Sequence, residues 1–368
     1  MKLVGIDVGK NSHHFCIMDK ETGEFNFAPS SFSNNKEGFD FLINSLKPYS
    51  KKSILLGMED TGHYHVALLK FLLSNGYTVA LITPKTTELT RKMEGGITNV
   101  DRFDLYEQRQ LTRHHHNLKE ELNIYCNRLQ KSIDLVFPEF NTLFGSKYGI
   151  VYMNLLKTFG SAETIASTDI RTIRKCFEIK GSGNRISLTP EKLKECAKNS
   201  IGISSEVETI QIKHLVSQIT LIKEQIAEID KKIEEFSIIN NSPILSIPGI
   251  SHFSGTSILA ELGDIGNYSK PSQIIKFAGV APYHYESSQY NAQHTGITKK
   301  GSKYLRKTLY QIILTVINNN PVFKKYYRLK ISQGKGHRCA QGHCIRKLLR
   351  IIYHLLETGQ SFDPALLR

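Results

Sequence analysis

One segment of this 368-residue chain has an apolar pattern that is compatible with only one secondary structure, a long helix. Eight apolar side chains recur there at alternating steps of three and four without a miss: Ile212, Leu215, Ile219, Ile222, Ile226, Ile229, Ile233 and Phe236. This spacing predicts a long helix with a coiled-coil seam over about residues 205–237. An apolar seam must be covered by another surface. We favour a second subunit, and the alternative is the helix predicted over residues 105–135 of the same chain.

The first third of the chain predicts a sheet flanked by helices. Strand patterns at 2–10, 13–19 and 23–29 precede a helix at 39–47, a strand at 53–60, a helix at 62–76 and a strand at 77–84. This succession is that of an RNase H-like (RuvC-like) α/β fold. The opening GIDVG is also typical of actin-like sugar kinases. Those folds need further Gly-rich phosphate loops in a second domain, and the C-terminal half shows none.

Four acidic side chains lie within these elements or at their ends. Asp7 lies in the first strand, and Glu59 ends the strand expected beside it. Asp101 and Asp104 are three residues apart at the start of the next helix. Grouped carboxylates repel one another unless cations neutralise them, and an all-oxygen ligand set favours Mg²⁺ or Mn²⁺. The sequence therefore predicts a metal site, and the alternative is that these acids only favour helix N-termini.

The net charge of +14 is concentrated at one end of the chain. Residues 241–368 carry 17 basic and five acidic side chains, whereas residues 1–104 carry 12 of each. A single basic domain predicts a polyanionic partner, and nucleic acid is the leading candidate. We expect no membrane segment and no signal peptide, because the apolar runs are short. Six cysteines without paired spacing predict a reduced, cytoplasmic protein.

Residues 277–309 combine a hydroxyl-bearing loop with a basic run. The loop holds Ser287 and Ser288. The basic side chains that follow are Lys299, Lys300, Lys303, Arg306 and Lys307. If a helix starts near Gly301, steps of four and three place Lys299, Lys303 and Arg306 on one face. This combination suits a phosphodiester substrate, and the alternative is a solvated loop before a solvated helix.

Two weaker motifs lie in the same third. The Pro-Gly turn in ILSIPGISHFSGTS (244–257) resembles a helix-hairpin-helix, in which turn amides meet a DNA phosphate, and a plain helical hairpin is the alternative. The segment GHRCAQGHC (336–344) contains two His and two Cys. Its spacing matches no usual zinc pattern, so we do not expect zinc there.

Taken in order, these segments resemble the insertion-sequence 110 (IS110) family of DEDD transposases, which are related to pilin-gene DNA invertases. The first block comprises GIDVGKNSHHF, EDTGHYHVALLKFLLSNGYTVALITP and VDRFDLY. The second runs from SIPGISHFSGTSILAELGD through FAGVAPYHYESS and GITKKGSKYLRKTL to CIRKLLRIIYHLL. The resemblance covers nearly the whole chain, and it rests on the order and spacing of the segments.

The resemblance implies a transposase or site-specific DNA recombinase with five catalytic residues. The metal-binding acids of the family fall on Asp7, Glu59, Asp101 and Asp104, and its serine nucleophile falls on Ser287. Members act on double-stranded DNA, both donor element and target, under the guidance of a structured RNA encoded by the element. We expect Mg²⁺ or Mn²⁺ as the cofactor, a dimer or tetramer formed through the coiled coil, and a place at the nucleoid.

Two departures from the family pattern affect this interpretation. Ser288 stands where the family usually has Gly, which leaves the choice of nucleophile between Ser287 and Ser288 open. Asn99-Val100 replaces the usual Lys-Thr ahead of Asp101, which is expected to weaken phosphate contacts there without changing the metal ligands.

We divide the chain into three predicted domains. These are an RNase H-like metal-binding domain (1–106), a helical region with the coiled coil (107–240), and a basic, mostly α-helical transposase domain that carries the serine (241–368). Two other functions stay open. One is a metal-dependent RuvC-like nuclease or Holliday-junction resolvase in which water attacks, and the other is a non-catalytic nucleic-acid-binding scaffold.

Overall fold

A mixed β-sheet opens the chain in the computed structural model, which describes residues 1–59, 63–82, 98–100, 103–178, 187–283, 286–287, 290–291 and 296–366. Six of its described strands are β1 (Lys2–Asp7), β2 (Ser12–Asp19), β3 (Phe25–Ser33), β4 (Ile54–Glu59), β5 (Val79–Ile82) and β6 (Thr98–Val100). They lie in the order β3-β2-β1-β4-β5-β6. The first three form an antiparallel meander, β4 and β5 run parallel to β1, and β6 runs antiparallel to β5.

The sheet forms because apolar side chains alternate along its strands. In β4, for example, Ile54, Leu56 and Met58 are buried, and the residues between them are only half-buried. Helices α1 (Lys36–Leu46) and α2 (His65–Ser74) contribute further buried leucines to the same core. The five strands and two helices predicted here are confirmed. Strand β6 is an addition, because three residues are too few to show a period.

A second unit, Arg113–Lys232, is helical in its described residues. It contains most of two long helices, α3 (Phe103–Val136) and α8 (Glu206–Asn240). Four short helices lie between them in the chain: α4 (Ile150–Thr158), α5 (Ala162–Ser167), α6 (Ile170–Lys175) and α7 (Pro190–Lys198). Its core joins Leu129 and Ile133 of α3 to Ile212 and Ile219 of α8. The short helices complete this core with side chains such as Leu155 and Leu193.

The long helix predicted from the heptad pattern is confirmed, since α8 runs for 35 residues without a break. From Ile212 to Ile233 no seam side chain is more than 9% exposed. This burial exists within one chain, where α3 packs against the first half of the seam. His115 Nε2 of α3 also lies 3.1 Å from Asp230 Oδ1 of α8. The pairing within the chain is therefore present, and a coiled coil between subunits stays a prediction.

The last third of the chain is built mainly from helices around a core of its own. Its elements are a 3-10 helix (Pro243–Ser246), α9 (His252–Leu262), α10 (Pro271–Phe277), β7 (Glu286–Ser287), β8 (Tyr290–Asn291), α11 (Lys303–Asn319), α12 (Pro321–Ser332) and α13 (His337–Thr358). Pro321 cannot continue a helix, so α11 ends before it. The Asn320 side chain accepts hydrogen bonds from the N–H groups of Val322 and Phe323 and begins α12.

The first and last parts of the chain, Met1–Thr112 and Ile233–Arg368, together form the other compact unit. Among the described residues, the hydrogen bonds that join them include one from Arg109 Nε to the carbonyl of Ala260, at 2.7 Å, and one from Asn240 Nδ2 to Gln108 Oε1, at 2.9 Å. Across the described ranges, no helix is long and apolar enough to cross a membrane.

Candidate active site

Asp7 and Glu59 are the last residues of two adjacent parallel strands. The register pairs Ile6 with Met58, so Asp7 and Glu59 follow at the same level of the sheet. Neighbouring strands lie about 4.8 Å apart, and successive side chains point to opposite faces. Because Ile6 and Met58 are buried in the core, both carboxylates point to the other face of the sheet. This part of the predicted acidic group is brought together.

A cavity of about 430 Å³ lies on that face, and Asp7 and Glu59 both line it. The cavity exists because Gly5 and Gly57, which are direct neighbours in the register, carry no side chains. A Cβ added at either glycine would make only ordinary contacts, at 3.8 Å and 3.4 Å. The backbone packing therefore does not require these glycines. Their effect is to leave space beside the two acids.

The carboxylate pair fits a hard divalent cation. Carboxylate oxygens are the ligands that Mg²⁺ and Mn²⁺ prefer, and such ions keep positions for water and substrate. His14, which is paired with Asp7 across β1 and β2, also lines the cavity. In the described part of the chain, no group of three or more His, Cys, Asp and Glu side chains is arranged to hold a metal ion. A complete site therefore needs ligands beyond Asp7 and Glu59.

Of the other two predicted acids, Asp101 and Asp104, the structure describes only Asp104. Asp101 lies outside the described residues. Asp104 is in the first turn of α3, where a carboxylate is electrostatically favourable, and it is not among the described residues that line the cavity. Helix α2 has Tyr64 as its N-cap, so Glu59 does not serve as that cap. The helix-terminus alternative thus applies to Asp104 and not to Glu59.

His13 is a residue that the sequence did not single out. It is fully buried, packs against two phenylalanine rings, and accepts a hydrogen bond from the N–H of Gly9 at Nδ1, at 3.3 Å. It thereby holds the turn that follows Asp7. Burial lowers the pKa of His13 and favours the neutral ring. The signal was present in the sequence, because His13 alternates with Phe15 and Ile17 on the buried face of β2.

Ser287 lies in a two-stranded hairpin between α10 and α11 in the chain. It is paired with Tyr290, so only two residues separate the paired positions. Ser288 lies outside the described residues, as does the side chain of Ser287. At the base, Tyr283 N–H donates to the Gly296 carbonyl and Thr298 N–H donates to the Ala281 carbonyl, at 2.8 and 2.9 Å. The predicted polar loop is therefore a hairpin with an ordered base.

Arg306 fastens the two ends of this hairpin. Its Nη1 donates to the carbonyls of Ala278 and Lys299, at 3.3 and 3.2 Å. The two ends of the hairpin lie so close together that a Cβ added at Gly279 would be 2.3 Å from the Lys300 carbonyl oxygen. Gly279 also has a positive φ of 67°. Only glycine adopts such a conformation without strain. The sequence predicted that Arg306 contacts phosphate. The described hydrogen bonds of its guanidinium are to backbone carbonyls.

The basic residues before and in α11 do not share a single helix face. Lys299 and Lys300 are exposed and precede the N-cap Ser302, and Lys299 has a φ of 53°. The predicted helix is confirmed with its start at Lys303, which is exposed, but Lys299 lies outside it. The common face proposed for Lys299 and Lys303 is therefore wrong, because the turn at Gly301 redirects the chain. Contact of Lys299, Lys300, Lys303 and Arg306 with nucleic acid stays a prediction.

The structure also shows the contacts of two other sequence motifs, the Pro-Gly turn and the GHRCAQGHC segment. A Cβ on Gly249, in the Pro-Gly turn, would lie 2.8 Å from Val316 N of α11, so the turn packs against that helix. This favours the plain helical hairpin. In the GHRCAQGHC segment, His337 is hydrogen-bonded to Tyr327 and Gln341, and burial raises the pKa of Cys344 to about 11.

Two family models match the chain. One, described as a transposase of the DEDD IS110 type, matches residues 4–106, and the other, described as the transposase IS116/IS110/IS902 family, matches residues 241–328. The first contains Asp7, Glu59, Asp101 and Asp104. The second contains Ser287 and its hairpin. The matches therefore coincide with the two places where the candidate site residues lie.

Individual proteins show the same similarity. The pilin gene-inverting protein of Moraxella lacunata is 22% identical over 363 residues, which is 98% of this chain and 97% of that protein. A putative transposase of the IS117 mini-circle from Streptomyces coelicolor is 27% identical over 33% of this chain and 29% of its own. A crystal structure of the Aquifex aeolicus Ppx/GppA family member aligns with a TM-score of 0.17, 14% identity and coverage of 62% of this chain and 98% of that one. That TM-score is too low to indicate a common fold.

Proposed function

The chain belongs to the IS110 family of transposases, and from this premise we propose that it moves a DNA element by cutting and rejoining strands with a serine nucleophile beside a metal-carboxylate site. The observation that carries the proposal is that Asp7 and Glu59 follow the paired residues Ile6 and Met58 and line one cavity, beside Gly5 and Gly57. The order of the sheet strands supports an RNase H-like fold for this part of the chain.

We assign the metal site to Asp7 and Glu59, with Asp101 and Asp104 as the further carboxylates. The cation would be Mg²⁺ or Mn²⁺, and when bound it would stabilise negative charge on a phosphodiester. Asp7 is exposed at the cavity, so substrate has access to it. His13 keeps the neighbouring turn in place through Gly9. Residues 1–106 would thus form the metal-binding domain.

We assign the nucleophile to Ser287. Its Oγ would form a bond to phosphorus while one P–O bond of the DNA strand breaks, and the serine proton would pass to a base or water. The departing strand keeps its oxygen as a hydroxyl. A hydroxyl of a second strand would then attack the phosphoserine and restore the serine. Each step exchanges one phosphoester for another, so no external energy source is required. Residues 241–368 would form this catalytic and DNA-binding domain.

The partners follow from the same proposal. The charge of the last third suits double-stranded DNA of the element and its target, together with a structured guide RNA. We propose that the protein acts at the nucleoid in the cytoplasm. We also propose a dimer or tetramer, with residues 107–240 as the connecting arm. Several apolar side chains of α8 are exposed outside its buried seam, among them Val207, Ile210 and Leu221, and they offer a surface for this contact.

The test is to trap a covalent protein–DNA adduct on a nicked suicide substrate. Ser287→Ala should abolish the adduct and leave DNA binding unchanged, with Ser288→Ala as the matched control that keeps the adduct. Asp7→Asn should remove the stimulation by Mg²⁺. If the adduct persists in Ser287→Ala and is lost in Ser288→Ala, the nucleophile is Ser288. Full activity without metal dependence in Asp7→Asn would exclude the metal assignment.

A second candidate is a metal-dependent nuclease or junction resolvase in which water attacks. It is favoured by the fact that Asp7 and Glu59 line one cavity, because two carboxylates with a metal ion can activate water without a serine. The same experiment separates the two mechanisms. Metal-dependent cleavage without an adduct, and with Ser287→Ala fully active, would support the nuclease. A chain that binds DNA and shows neither activity would be a scaffold.

A further inference from the structure

The end of the chain carries a long segment without acids. Residues 287–356 contain 14 Lys and Arg side chains and no Asp or Glu. Nine basic side chains belong to the hairpin of α12 and α13 between residues 321 and 358, where the one acid is Glu357. Glu357 accepts a hydrogen bond from the Tyr353 hydroxyl at 3.3 Å. The hairpin thus has almost no negative charge of its own to balance its cations.

The α12–α13 hairpin is also held in shape. Phe323 of α12 is fully buried and belongs to one core cluster with Cys344, Ile345 and Leu348 of α13. Near the turn that joins the two helices, the His337 ring is hydrogen-bonded to the Tyr327 hydroxyl and to Gln341 Nε2, the latter at 2.8 Å. These contacts fix the two helices relative to each other. Charges on them therefore occupy defined positions, which reduces the entropy lost on binding a partner.

Five basic or titratable side chains converge on one side of this hairpin. Lys330 Nζ and Lys347 Nζ lie 5.3 and 4.9 Å from the centroid of the same ring, that of Tyr326. Burial and the nearby charges of Arg346, Lys330 and Lys335 lower the pKa of His343. We call this group the cationic face. It consists of Lys330, Lys335, His343, Arg346 and Lys347.

We propose that the cationic face binds the phosphate backbone of double-stranded DNA. Cations held near one another repel, and phosphates remove this repulsion while releasing condensed counterions. Tyr326 supports the choice of a duplex over a single strand. Single-strand sites present aromatic rings for base stacking, whereas the Tyr326 ring has two ammonium groups placed over it. The choice of DNA as the partner rests on the proposed function. The cationic face would be a second DNA-binding surface, in addition to the basic residues around Lys299.

The test is equilibrium binding of the full chain to a random-sequence 30-base-pair duplex over a range of salt concentrations. The variant is Lys330→Gln, Lys335→Gln and Lys347→Gln together. Its slope of log K against log salt should fall by about 2.7, because each phosphate contact contributes about 0.9. The matched control is Lys175→Gln, Lys192→Gln and Lys198→Gln, three exposed lysines of α6 and α7, and its slope should not change.

A charge-preserving variant distinguishes binding from packing. Lys330→Arg, Lys335→Arg and Lys347→Arg should bind the duplex as the parent does, because the cations remain. An unchanged slope in the Gln variant, or an equal loss in the control, would overturn the proposal. Loss of binding to a structured RNA alone, with the duplex unaffected, would assign the face to RNA. The measurement needs neither metal nor Ser287, so it can be made on Ser287→Ala, and failure of the serine mechanism would not affect it.

Discussion

At the scale of single residues, Arg306 shows how one side chain can connect two ends of a loop through the backbone. Its guanidinium closes the base of the Ser287 hairpin through the carbonyls of Ala278 and Lys299. Hydrogen bonds from a charged donor contribute about 1.5–3 kcal/mol each when buried, and less where water competes. The position of Ser287 therefore depends on a residue 19 positions away in sequence.

We expect Arg306→Gln to slow formation of the covalent adduct by about tenfold or more at saturating DNA, because about 1.4 kcal/mol of lost positioning corresponds to that factor. DNA affinity should change little. Adduct rates on suicide DNA and the salt dependence of binding would be measured together, with Lys303→Gln as the control for loss of one exposed charge. A salt slope lower by about one, with an unchanged adduct rate, would instead identify Arg306 as a phosphate ligand.

At the scale of elements, the seam of α8 shows which features a heptad pattern predicts and which it leaves open. The pattern predicted a helix and an apolar stripe, and both are present. It could not specify which helix covers the stripe, because intrachain and intersubunit partners satisfy the same spacing. In the structure, α3 covers its first half. Arms of this kind can still associate through residues outside the seam.

Ile219→Ala tests this packing. Ile219 is fully buried, so the cavity should lower the free energy of unfolding by about 2–5 kcal/mol. Leu221→Ala is the matched control, because Leu221 is 54% exposed and its loss should change stability by about 0.5 kcal/mol or less. Denaturant unfolding would be followed at two protein concentrations. An Ile219→Ala effect that grows on dilution would place the seam between subunits instead.

At the scale of the whole molecule, buried histidines connect stability to pH. The pKa of His13 is lowered in the folded chain from 6.5, so below pH 6.5 the unfolded chain binds a proton that folded His13 resists. Stability must then fall as the pH decreases from about 6.5. The shift of His343 has the same direction. Asp19, whose pKa Lys2 lowers, contributes stability that is lost only below its ordinary value of 3.8.

Thermal unfolding between pH 7 and pH 5 would measure this effect. His13→Gln removes the titratable ring and should show a smaller decrease in Tm over that range than the parent chain. His343→Gln serves as a comparison at a half-buried site, where a smaller change is expected. An identical pH dependence in His13→Gln and the parent would mean that His13 does not titrate differently on unfolding.

Much of the fold could be predicted from local pattern. Alternation in β1, β2 and β4 and the heptad of α8 each depend on neighbours within a few residues, so the sequence alone determined these elements. The pattern also placed Asp7 within the first strand and Glu59 at the end of the strand expected beside it. Family membership, which the two matched models establish, followed from the order of such segments.

The tertiary structure alone decided which residues meet. That Asp7 lies beside Glu59 depends on a parallel register between strands about 50 residues apart, and the open space beside them depends on Gly5 facing Gly57 across that register. Arg306 could not be assigned to the hairpin base from sequence, because its partners come from both ends of a loop. Contacts of this kind are set by packing between distant segments, and one sequence carries no local signal for them.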